Sequence, residues 1–225
     1  MRQLTLDLAT APAPRFDNFI AGANLEACAQ LAVLSVPLAR GALYLWGQAG
    51  SGRSHLLAAA VHAAQSCGRP AHYCAARDLA PDYALPQDCL LAVDDIDQAG
   101  PQAQIALFRA YNDAPERAAA LVFSGPAPPL QLVLREDLRT RVGQALVYEL
   151  QPLSDADKFT ALLEYAQQRA IPVTPEHMQY LLTHGRRDIP WLIRVLDRLD
   201  AASLEKKRPV TIALLREIMQ AREPD

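Results

Sequence analysis

The residues with the clearest chemistry form the stretch Gly47-Gln48-Ala49-Gly50-Ser51-Gly52-Arg53-Ser54, which follows the apolar run Leu43-Tyr44-Leu45-Trp46. It matches the phosphate-loop pattern G-x-x-x-x-G-K-[ST] at every fixed position except one, where Arg53 replaces the lysine. Gly47, Gly50 and Gly52 let backbone N–H groups converge on phosphate oxygens, and a helix starting at the end of the loop points its positive end at the same place. Ser54 is then placed to bind a magnesium ion. A second run, Leu90-Leu91-Ala92-Val93-Asp94-Asp95, is an apolar strand ending in two carboxylates. One acid, Asp94, suits the magnesium ion and the other, Asp95, the attacking water. Such acids can also cap a following loop, but their pairing with a glycine-rich loop upstream favours nucleotide chemistry. Arg53 alters that chemistry, because a planar, forked guanidinium is bulkier than a compact ammonium. The expectation is that diphosphate binding survives and intrinsic turnover is weak.

The elements that position these groups change character near residue 150. Before it, short apolar runs at 42–46, 71–75, 90–93, 119–123 and 146–150 read as strands buried in a parallel sheet. Segments 53–66 and 102–112 carry apolar residues at helical spacing and supply the crossovers such a sheet needs. After Gln151-Pro152-Leu153 the pattern is helical throughout. Ser154 is an N-cap before Phe159, Leu162, Leu163 and Ala166, and Thr174-Pro175-Glu176 opens a second helix that ends near Gly185. A third helix carries Trp191, Leu192, Val195, Leu196 and Leu199, and a fourth Ile212, Leu215, Ile218 and Met219. Fold and boundaries follow: an α/β phosphate-loop core with a parallel sheet over residues 13–152, a small α-helical domain over 153–225, and a flexible tail over 1–12.

The chain has 225 residues, 51% of them hydrophobic, and a formal charge of -3, which excludes a disordered chain and a generically basic nucleic-acid coat. No window reaches the roughly 18 apolar residues of a membrane span, so a cytoplasmic protein is expected. Cys28, Cys67, Cys74 and Cys89 form no C-x-x-C pair and read as free, mostly buried thiols. His55 and His62 read as a packed or solvated helix face.

With these motifs in view, the sequence resembles Hda, a family of inactivators homologous to the nucleotide-binding part of the replication initiator DnaA, within the AAA+ group. The pieces that carry the resemblance are Phe16-Asp17-Asn18-Phe19-Ile20-Ala21-Gly22-Ala23-Asn24, the phosphate loop and the Asp94-Asp95 strand. Ala106-Leu107-Phe108-Arg109-Ala110-Tyr111-Asn112 and Leu150-Gln151-Pro152-Leu153-Ser154-Asp155-Ala156-Asp157-Lys158 add to them. The resemblance implies an AAA+ core with a helical lid, adenine-side contacts at Phe19 and Ile20, bound ADP or ATP, and magnesium on Ser54 and Asp94. Gln3-Leu4-Thr5-Leu6-Asp7-Leu8 is similar to the Gln-Leu-x-Leu-x-Leu peptide with which such proteins bind the DNA polymerase sliding clamp, through Gln3, Leu4, Leu6 and Leu8. An edge strand would show the same alternation.

The resemblance also implies two arginine roles. In Asp137-Leu138-Arg139-Thr140-Arg141-Val142, Arg141, with Arg139 as the alternative, occupies the place of the arginine that completes a neighbour's nucleotide site. Arg187, beside Arg186, corresponds to the lid arginine that returns to the bound phosphates. The chain departs from the family at Val122-Phe123-Ser124-Gly125-Pro126, where Pro126 takes the place of an acidic residue and Ser124 is the nearest polar side chain left.

Together these imply a negative regulator of chromosomal replication initiation. It would be an ADP-bound adaptor, associated with the nucleoid through the DNA-loaded clamp, that stimulates hydrolysis of DnaA-bound ATP by Arg141 acting in trans. Its partners would be the clamp and DnaA, with DNA contacted mostly through the clamp, no membrane, and homo-oligomers left open. Such a chain activates a partner's ATPase more than it hydrolyses ATP itself. The alternatives are an autonomous AAA+ ATPase of helicase-loader type and a non-enzymatic clamp-binding module with a degenerate nucleotide site.

Overall fold

The computed structural model describes residues 13–186, 188–206 and 209–221. The clamp-binding candidates Gln3, Leu4, Leu6 and Leu8, and the lid arginine Arg187, lie outside the described residues. The chain divides into two compact units between Pro152 and Leu153.

The first unit is built on five strands, β1 (Gly41–Trp46), β2 (Ala71–Ala75), β3 (Leu90–Asp94), β4 (Ala120–Gly125) and β5 (Leu146–Glu149). They lie in the order β2-β3-β4-β1-β5, and every pairing is parallel. Side chains alternate between the faces of a strand, and the core divides accordingly. Leu43, Leu45, Leu90, Ala92, Ala120 and Val122 pack against helices α1 (Leu25–Ser35) and α2 (Arg53–Ser66). Tyr44, Leu91, Val93, Leu121 and Phe123 pack against α3 (Pro101–Asp113) and α4 (Glu136–Gly143). The central strands β3 and β4 are buried along their whole length, as their continuous apolar runs demand. The outer strands β2 and β5 differ from the expectation of burial: Tyr73, Leu146 and Val147 are exposed, because each of these strands has a neighbour on one side alone.

Two helices, α1 and α4, add to those expected from periodicity. Asn24, at the start of α1, gives its amide to the Gln151 carbonyl (2.9 Å) and accepts the Gln151 N–H (2.8 Å), which fastens the N-terminal segment to the end of the unit. Opposite the phosphate loop, the buried Arg69 donates to the carbonyls of Leu34, Val36, Ala39, Asp88 and Ala118 and pairs with the Asp88 carboxylate at 3.3 Å. Leu38, Asp88 and Ala118 there have positive φ, so one guanidinium holds three strained loop turns.

The second unit consists of α5 (Asp155–Gln168), α6 (Pro175–His184), α7 (Ile189–Lys206) and α8 (Ile212–Gln220). Ser154 caps α5 through a reciprocal pair with Asp157, and Thr211 caps α8 by accepting the Leu214 N–H at 3.2 Å. Leu162, Met178, Leu181, Leu192, Leu196, Leu199 and Leu215 form its core. At 18 residues, α7 runs well beyond Leu199, the last apolar residue that marked it in the sequence. No helix among the described residues is long and apolar enough to cross a membrane. All four cysteines are free, but only Cys89 is buried; Cys67 is exposed and Cys28 and Cys74 are half-buried, which corrects the expectation of mostly buried thiols.

Candidate functional site

The strand order determines what meets at the carboxyl ends of the sheet, where open α/β folds bind ligands. Strand β4 lies between β1, which leads into the phosphate loop, and β3, which ends in Asp94. Ser124, on β4, therefore stands beside both motifs.

The loop is shaped by its glycines. Gly52 has φ of +96° and Gly50 of +80°, conformations that side-chain-bearing residues seldom adopt. A Cβ at Gly47 would lie 2.8 Å from the Leu150 carbonyl oxygen and 2.8 Å from Ser51 Oγ, and one at Gly52 would lie 2.6 Å from Phe19 Cε2. Phe19 thus covers the start of α2, with its ring 5.4 Å from that of His55. His55 is in turn tied through Nε2 to the Arg15 carbonyl at 3.0 Å, so it fastens the N-terminal segment to the loop rather than standing as a solvated face. Ile20 is half-buried in the same segment. Within the loop, Ser51 Oγ and Arg53 Nη1 are buried polar atoms with no hydrogen-bond partner. Donors without a hydrogen bond at the start of a helix suit an anion such as a phosphate group, although Arg53 Nη1 is in ion-pair range of Asp95.

The acids are held differently from one another. Asp94 is buried; its Oδ1 accepts the Ser124 hydroxyl and the Asp95 N–H (3.1 Å), and its Oδ2 accepts the Tyr73 hydroxyl at 2.7 Å. Ser54 adds its hydroxyl to the same cluster. Burial alone would raise the Asp94 pKa, but hydrogen bonds from Ser124, Ser54, Tyr73 and the Asp95 N–H together hold it below the ordinary carboxylate value. Burial and the neighbouring Asp94 charge push Asp95 the other way, against the pull of Arg53. Asp95 takes the left-handed conformation at φ of +49°, and its carboxylate faces Arg53 Nη1 at 3.4 Å and the Gln98 amide at 3.3 Å. The arginine in the loop and the acid suited to water activation are therefore engaged with each other. Ser54 and Asp94 supply the hydroxyl and carboxylate oxygens that magnesium takes alongside phosphate and water, so these residues fit that ion.

Ser124 is more than the residue left beside Pro126. Fully buried, it donates to Asp94 and accepts the Asp95 N–H at 3.0 Å, fixing both acids. Pro126 is exposed, and the Tyr44 hydroxyl holds its loop through the Ala127 carbonyl at 2.6 Å.

Arg141 lies elsewhere in the same unit, on α4. Its guanidinium is 5.9 Å from the ring centre of Phe108 and 5.8 Å from that of Tyr111, and it donates to Gln144 Oε1 at 3.1 Å. Phe108 and Tyr111, three apart on α3, present adjacent rings, and this aromatic pair is the structural content of the Phe108-to-Asn112 motif. Phe108, with Arg135, Glu136, Asp137 and Thr140, lines an open groove of about 790 Å³ around Arg141. Arg139, on the same helix, is half-buried. The structure brings Gly47, Gly50, Gly52, Arg53, Ser54, Asp94 and Asp95 into one site with Phe19 against it, and places Arg141 in a separate groove. Sequence reasoning missed Tyr73 and Gln98, which carry no motif. The aromatic pair beneath Arg141 was legible as two rings at helical spacing.

Comparison with known proteins agrees with this geometry. Residues 155–219 match the family model described as Hda, lid domain. Domain III of the Thermotoga maritima replication initiation protein DnaA superposes with a TM-score of 0.73 at 17% identity, covering 93% of this chain and 100% of that one. AMPPCP-bound DnaA from Aquifex aeolicus gives 0.67 at 19% identity, covering 85% and 66% of the two chains. A point mutant of Thermotoga maritima RuvB gives 0.70 at 17% identity, covering 92% and 72%. The fold is that of an AAA+ phosphate-loop protein: a five-stranded parallel α/β core followed by a helical lid. Within that fold, residues 155–219 are similar to the Hda lid domain, and the chain as a whole shares its fold with domain III of DnaA.

Proposed function

We propose that this protein is a negative regulator of replication initiation that acts on the ATP of a DnaA-type partner rather than on its own. The observation that supports the reading best is the contrast between its two arginines. Arg53 is tied to Asp95 inside the chain's own phosphate site, whereas Arg141 rests on two aromatic rings at an open groove. A pre-oriented, accessible guanidinium is what an arginine acting in trans requires, since the stabilisation of charge on a transferring phosphoryl group depends on fixed donors.

In this mechanism the cradle from Gly47 to Ser54 holds the phosphates of ADP, with Phe19 and Ile20 on the adenine side. The unpaired Ser51 Oγ supplies a donor to phosphate oxygens beside the Arg53 guanidinium, and Ser54 with Asp94 would hold a magnesium ion, which supplies charge neutralisation when bound. Asp95, paired with Arg53, is withheld from water activation, so bound nucleotide persists. The segment from Gln3 to Leu8 docks on the sliding clamp, and Arg141 completes the ATP site of the initiator.

The test is the rate at which DnaA-bound ATP becomes ADP when this protein and clamp-loaded DNA are added, for wild type and Arg141→Ala. The reading expects acceleration by wild type and its loss, by about a thousandfold if the arginine acts fully in trans, in the variant. Equal rates with and without wild-type protein would overturn it. Both acids at the end of β3 are intact, which keeps an autonomous ATPase as the second reading; turnover by the isolated protein that survives deletion of residues 1–8 would favour that instead.

A further inference from the structure

Asp94 has about four acceptor positions, as any carboxylate does, and three of them face donors. The Ser124 hydroxyl and the Asp95 N–H take Oδ1, and the Tyr73 hydroxyl takes Oδ2 at 2.7 Å. Ser124 and the Asp95 backbone are anchored in β4 and at the end of β3. Tyr73 lies on the outer strand β2, in register with Ala92, and is 44% exposed. Its phenol thus reaches along the sheet to Asp94 Oδ2, the oxygen that neither Ser124 nor the Asp95 N–H occupies. A cation and a hydroxyl proton cannot share one oxygen position, and magnesium demands near-ideal octahedral geometry.

We propose that Tyr73 determines the metal dependence of this site: its hydroxyl competes with a divalent cation for Asp94, so the protein holds a nucleoside diphosphate with little need of magnesium. The inference rests on the nucleotide reading above and deepens it. Tyr73 is a specificity-determining residue here, acting through Asp94 and not through the nucleotide.

The experiment titrates the full-length protein with a fluorescent ADP analogue in EDTA and in excess magnesium, and reads the ratio of the two dissociation constants. Wild type is expected to give a ratio within about threefold of unity, and Tyr73→Phe one higher by about tenfold, the weight of one hydrogen bond to a charged group. Manganese alone, followed by the loss of its free-ion electron resonance in the presence of ADP, gives a second readout, and should be retained more tightly by Tyr73→Phe. Adding Asp94→Asn to Tyr73→Phe should abolish the gain in both. An unchanged ratio and unchanged manganese retention in Tyr73→Phe would overturn the proposal while leaving the nucleotide reading in place. Absence of ADP binding by wild type in both buffers would instead overturn the nucleotide reading, and the inference with it.

Discussion

Replacing Ser124 with alanine tests the central claim that the two acids are held by a residue on the strand between them. Ser124 Oγ is fully buried, donates to Asp94 and accepts the Asp95 N–H. In Ser124→Ala the Asp95 N–H keeps Asp94 Oδ1 at 3.1 Å, so the loss reduces to one hydrogen bond to an ionised group. Such bonds contribute about 1.5–3 kcal/mol, and with Tyr73 and Ser54 still donating to the carboxylate the expected loss is about 2 kcal/mol near neutral pH. Because its hydrogen bonds hold the Asp94 pKa below its unfolded value, their stabilisation is present above about pH 4 and is lost as pH falls through the folded value. The difference between wild type and Ser124→Ala should therefore be full at neutral pH and shrink below about pH 4. Urea denaturation followed by Trp46 fluorescence, in a Trp191→Phe background, reports on the α/β unit without interference from the lid. A difference under about 0.5 kcal/mol at neutral pH, the range of an ordinary surface substitution, would refute the reasoning. So would a difference that persists undiminished in acid.

Arg69→Met should destabilise the same unit by about 3–5 kcal/mol, since it removes the guanidinium that partners five carbonyls and the Asp88 carboxylate; a loss below about 1 kcal/mol in the same urea transition would contradict that role. Gly52→Ala should leave the unit folded yet weaken ADP binding by about tenfold or more, because the new Cβ adopts an unfavourable φ and meets Phe19 Cε2 at 2.6 Å. Undiminished affinity in Gly52→Ala, read by calorimetric titration, would show that the loop does not use this conformation to bind.

Much of this protein could be read from short stretches of its sequence. The runs that became β1, β3 and β4, the glycine pattern before α2, and the caps at Ser154 and Thr174 all act within a few residues, the range over which hydrophobic periodicity and capping hydrogen bonds operate. The same local reading treated β2 and β5 as buried, because a run of apolar residues does not encode which strands become edges. What the tertiary structure alone decided is who meets whom. Inserting β4 between β1 and β3 sets Ser124 against both acids. The register of β2 on β3 carries Tyr73 to Asp94, and the packing of α3 against α4 places Phe108 and Tyr111 near Arg141. Arg69 collects carbonyls separated by up to 49 residues from its own position. These contacts depend on strand order, register and helix packing, which are selected by burial of the whole sheet, so no local motif announces them.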